Sequence, residues 1–102
     1  MSNLPDWLII CVWRALLGEI YPNIRAIALK YSQDSKYLLI RYYLDREPLE
    51  EDYESISSVE TEMFSAVGND FISHSDLECI HEIEIIANLD RLDGFVYVRK
   101  EY

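Results

Sequence analysis

Three side chains able to ligate a metal fall close together, His74, Cys79 and His81, and strand alternation would set Cys79 and His81 on one side. Zinc needs a fourth ligand and usually more tightly paired motifs, so a buried thiol and hydrogen-bonded imidazoles are the better reading. Glu82 and Glu84 have the spacing of same-face strand acids, a pair able to act as general acid and base. Nothing else completes such a site. A glycine-rich phosphate loop, a G-x-S-x-G elbow and an H-E-x-x-H pair are all absent from the sequence. No metal, no cofactor and no catalytic residue is expected, and the protein is not expected to be an enzyme.

Charge offers a different chemistry. The chain has 9 Lys+Arg against 19 Asp+Glu, a formal net charge of −10. Nucleic acids and anionic membranes are gripped through clustered Lys and Arg, so neither is an expected partner; a basic protein is. The charge is also uneven. Residues 1–44 hold 5 basic and 3 acidic residues, a net of +2, whereas residues 45–102 hold 4 basic and 16 acidic, a net of −12. Asp45, Glu47, Glu50, Glu51, Asp52 and Glu54 form the densest block, and Glu78, Glu82 and Glu84 would form a second acidic row along a strand. A solvated helix face with favourable N-terminal charges accounts for part of the block. Its density exceeds what capping needs, because like charges one turn apart repel. The functional alternative is an electrostatic landing site for a basic partner, with Tyr43 and Tyr53 as aromatic anchors.

The elements that must carry these residues are those of one α+β domain over residues 1–102. Leu8, Cys11, Val12, Ala15, Leu16 and Ile20 recur at helical spacing, predicting a first helix over about residues 5–19 that is apolar on more than one side. Ile24 to Tyr31 and Tyr37 to Leu44 read as an antiparallel hairpin across the polar turn Ser32 to Ser35. Pro48 opens a second helix, with Asp45 or Glu47 near its cap, a stripe of Leu49, Tyr53, Ile56, Val59, Met63 and Val67, and an end at Gly68-Asn69. After a loop from Asp70 to Asp76, residues 78–87 alternate as a third strand. Asp93-Gly94 then turns the chain into a fourth, Phe95 to Lys100. Helix, strand, strand, helix, strand, strand predicts two helix-plus-hairpin halves: a four-stranded, mostly antiparallel sheet covered by two helices. Cys11 and Cys79 lie in apolar stretches as reduced thiols would, and the run from Trp7 to Trp13 has neither the flanks of a secretory signal nor the length of a membrane span. Cytoplasmic residence is the resulting expectation.

The runs Pro5 to Leu8, Arg14 to Ala28, Tyr42 to Pro48 and Phe95 to Glu101 resemble small bacterial immunity proteins of contact-dependent growth inhibition systems. The resemblance implies a cytoplasmic protein that binds and neutralises the C-terminal domain of one cognate toxin, often a nuclease. It implies no catalytic residue and no particular contact surface. A nuclease presents a basic groove to phosphates, which suits an acidic inhibitor. A non-catalytic regulatory module, or a homo-oligomer built through the doubly apolar first helix in the absence of toxin, stands as the alternative.

Overall fold

The computed structural model describes residues 3–101. It contains α1 (Asp6–Ala15), β1 (Ile24–Ser32), β2 (Tyr37–Leu44), α2 (Glu50–Val67), β3 (His74–His81), a short 3-10 turn at Ile86–Asn88, and β4 (Gly94–Val98). The class and element order are those expected. Among the described residues no helix is long and apolar enough to cross a membrane.

β1 and β2 form the antiparallel hairpin, with Leu29 opposite Ile40 and Ser32 opposite Tyr37. β4 pairs antiparallel with the other side of β1, and β3 pairs parallel with β2, giving the strand order β3-β2-β1-β4. The sheet is therefore mostly antiparallel, but its second half is not a hairpin: β3 and β4 occupy opposite edges. A parallel pair cannot be joined by a tight turn, and α2 supplies the crossover from β2 to β3.

Three elements depart from the sequence pattern, the smallest departure being β4, which ends at Val98 and not at Lys100. α1 stops at Ala15, and a turn containing Gly18 at φ +80° carries the chain onward. β3 begins at His74, inside the expected loop, and ends at His81, so the alternation of residues 82–87 is not strand. Two side chains end the ladder. The Glu82 carboxylate accepts the amides of Ile83 and Glu84 at 3.0 and 3.2 Å, turning the chain on itself. Arg25 then donates to the carbonyls of Glu82 and Glu84, the latter at 2.7 Å, and so claims oxygens that a strand would offer to a neighbour.

Both faces of the sheet are covered. Leu8 and Val12 of α1 and Ile56, Val59 and Met63 of α2 pack on Ile27, Leu29, Leu38, Ile40, Tyr42 and Leu44, all without solvent exposure. Cys11 and Cys79 lie in this core as free thiols. Burial pushes the Cys79 thiol up to about 12. On the opposite face the segment after β3 folds back, so that Leu89 joins Ala26, Ala28 and Tyr43, with Ile80, Ile86, Leu92 and Phe95 around them. Alanines in the middle of β1 let this covering segment approach closely.

Polar locks hold the covers in place. Arg25, only 6% exposed, pairs with Glu101 at 2.8 Å. Arg99 donates to the Pro22 carbonyl at 2.6 Å and pairs with Asp45 at 2.7 Å and with Glu101 at 2.9 Å. The hydrogen bond from Arg25, reinforced by Arg99, holds the Glu101 carboxyl down at about 2.

The start of α2 is locked differently from the expected cap at Asp45 or Glu47. Leu49 occupies the N-cap position and has no acceptor in its side chain, so Asp52 reaches back from the first turn to accept the Leu49 amide at 2.7 Å. Fully buried, Asp52 also pairs with Arg46 at 2.6 Å and accepts the Tyr21 hydroxyl. Burial by itself would raise its pKa, but the bonds from Arg46, Tyr21 and the Leu49 amide outweigh that and leave it lowered.

Two outcomes follow from these locks. Asp52→Ala leaves the Tyr21 hydroxyl, the Leu49 amide and a partly exposed guanidinium without their acceptor. It should lower unfolding stability by about 2–4 kcal/mol, read as a drop in urea midpoint at unchanged slope. Glu101 has a folded pKa below its unfolded one, so its contribution is complete above pH 4.5 and is lost as pH falls toward about 2. An acid titration of wild-type stability should decline through that window, and Glu101→Gln should decline less steeply; equal slopes would remove Glu101 from the acid response.

Candidate functional site

The first turns of α2 gather acidic and apolar groups at one end of the helical layer. Pro48 blocks helical continuation from the β2 end, and the buried lock at Asp52 fixes which side of α2 faces inward. Ile56, Val59 and Met63 take the core side, so Glu50, Glu51 and Glu54 point to solvent. Leu49 and Tyr53, one turn apart, are 49% and 46% exposed, an apolar step set among carboxylates. Glu47 stands beside them, its carboxylate 3.1 Å from His81 Nδ1. Glu51 pairs with Arg46 at 3.4 Å and remains mostly exposed. Glu50 and Glu54 form no ion pair among the described residues.

Glu47, Glu50, Glu51, Tyr53 and Glu54 are thus brought together, and the remaining candidates are not. Asp45 is tied to Arg99 and to the Asn23 amide at 3.0 Å, and those two bonds lower its pKa. Asp52 is buried in the lock. Tyr43, 3% exposed, belongs to the small core on the other face of the sheet; its hydroxyl donates to the Asp90 carbonyl at 2.7 Å and accepts from Arg41 at 3.0 Å. Glu78 lies on that same far face, paired with Arg41 at 2.7 Å. Glu82 bonds within its own turn and Glu84 accepts from Asn88 at 3.1 Å, so no continuous row joins Glu78, Glu82 and Glu84.

The residues considered as metal ligands are also separated: His74 is exposed at the start of β3, whereas Cys79 is buried. Among the described residues no group of three His, Cys, Asp or Glu side chains is placed to hold a metal ion.

A cleft of about 400 Å³ adjoins the acidic end of α2, lined by Gly18, Glu19, Tyr21, Asn23, Arg46, Glu51 and Ser55 among others. At its edge Glu19 accepts a hydrogen bond from Ser55 at 3.1 Å, and Ser55 shares another with Tyr42 at 3.1 Å. Sequence reasoning missed Glu19 because it sits in the near-neutral half of the chain. The one local signal was Gly18, whose positive φ swings Glu19 toward α2.

No curated protein matches the sequence. A family model described as MafI2 immunity protein matches residues 5–101, nearly the whole length. That match alone, over well more than half of the chain, shows the family. The chain belongs to the MafI2 immunity protein family.

Proposed function

We propose that this protein binds and neutralises one cognate toxin domain, a basic nuclease of a contact-dependent growth inhibition system, in the cytoplasm of the cell it protects. It acts by occupancy and not by turnover. The observation that supports this reading is the exposed acidic end of α2, where Glu47, Glu50, Glu51 and Glu54 surround Leu49 and Tyr53. Carboxylates on the rim steer a basic surface into register and accelerate encounter, while a half-exposed aromatic at the centre supplies area to desolvate. Glu19, Glu51 and the adjoining cleft extend the same acidic ground toward the α1–β1 turn. Asp52 is buried, and Asp45 and Glu78 are each paired with an arginine, so the proposed surface centres on Glu47, Glu50, Glu51 and Glu54.

Co-expression with the toxin domain encoded beside it, followed by affinity capture of this chain, should retain the toxin; its absence from the eluate would overturn the reading. The surface has its own test. A Glu50→Lys, Glu51→Lys, Glu54→Lys triple variant should associate with the toxin about tenfold or more slowly at low salt, with the difference shrinking near 1 M salt, where screening acts over about 3 Å. Association kinetics unchanged at low salt would take this end of α2 out of the interface.

A further inference from the structure

The outward face of α1 carries large apolar side chains that the described residues leave about half or more exposed. Ile10 and Trp13 are 49% and 55% exposed, and Leu17, in the turn after the helix, is 79% exposed. Their i, i+3, i+7 spacing sets them in one stripe, opposite the side that buries Leu8, Cys11, Val12 and Ala15. Trp13 is held in position, its ring N–H donating to the Val96 carbonyl of β4 at 3.0 Å. Two exposed charges share this side, Asp6 and Arg14, four residues before and four after Ile10. At 1.5 Å per residue they stand about 12 Å apart along the helix. Neither forms an ion pair among the described residues. Helix-end electrostatics accounts for their signs, but not for the apolar stripe between them.

We propose that this face is where two copies of the chain associate, packing α1 against α1 antiparallel about a two-fold axis at Ile10. The sequence of acid, apolar centre and base is its own complement under that symmetry. Each Asp6 meets Arg14 of the second copy while Ile10 meets Ile10, and Trp13 and Leu17 flank the axis. Parallel packing would oppose like charges. Net charge points to the same face, because residues 45–102 sum to −12 and repel one another between copies, whereas α1 holds one acid and one base. Glu62 of α2 borders the cleft beside Ile10 and Arg14, so one further acid adjoins the face; what a second copy adds is the reciprocal pairing of Asp6 with Arg14. This inference does not rest on the toxin reading, and its sedimentation test needs no toxin.

Sedimentation of the purified chain from micromolar to near-millimolar concentration should show a shift from one to two chain masses. Asp6→Arg or Arg14→Asp alone should weaken the dimer about tenfold. The double swap Asp6→Arg, Arg14→Asp should restore it, with helical circular dichroism retained throughout. Ile10→Glu, at an exposed position, should give a monomer and checks the axis independently of the charges. A wild-type chain that stays monomeric over the whole range, or a double swap no tighter than the single ones, overturns the proposal. So does loss of toxin capture by Ile10→Glu in a monomeric protein, which would assign the stripe to the toxin.

Discussion

Burial of the β1–β2 ladder on both faces is the constraint around which the rest of the chain is arranged. Strands with Ile, Leu and Tyr toward one side and Ala and Tyr toward the other cannot leave either side to water. Two helices satisfy the first face. The second must be covered by a segment with little regular structure, which is why residues 82–93 leave the sheet edge after β3 and cross behind it before returning as β4. Such a segment carries backbone groups that need partners. Arg25 meets that need by donating to two of its carbonyls while Glu101 holds the guanidinium in place. The buried arginine is thus a consequence of covering a sheet with a loop.

Arginine pairing also decides what charge reaches the surface. Arg25, Arg41, Arg46 and Arg99 each face a carboxylate within the fold. These pairs neutralise acids that serve architecture, Asp45, Asp52, Glu78 and Glu101. The acids left unneutralised stand out more sharply, and the exposed end of α2 is where several of them coincide with accessible apolar area. Fold and field are therefore coupled, since the pairing that fixes the covers also sets the surface potential.

How much of this was legible in the sequence depends on how local its cause is. β2 matches its predicted bounds, and α2 lies close behind Pro48 and ends at Gly68, because hairpin pairing, helix stripes and positive-φ stops are written within a few residues. β3 was displaced because its pairing with β2 is parallel and thirty-odd positions away, so neither its start at His74 nor its place at the sheet edge has a neighbouring signal. The alternation of Glu82 to Ala87 imitated a strand; the side chain of Glu82 and the reach of Arg25 from β1 undid it. At the site, Glu50, Glu51 and Glu54 were readable as an exposed acidic turn, whereas Asp52 among them was not distinguishable. Only the helix phase, set by tertiary packing, turns that one acid inward. Tyr43 lies on the face of β2 that strand alternation gives it, and its burial comes from the segment after β3 folding over that face, for which there is no local signal.

The two cysteines give the fold an internal clock. Both thiols lie in the main core, and burial raises the Cys79 thiol to about 12, which keeps it protonated at neutral pH. Cys11 lies on α1 against α2, its thiol 3.9 Å from the Met63 carbonyl, whereas Cys79 lies on β3, which α2 contacts. Exchange at Cys79 must then wait for α2 to leave the sheet, while exchange at Cys11 follows the separation of the two helices. The two rates report how often each cover lifts, cysteine by cysteine, and whether the helical layer opens as one unit or in parts.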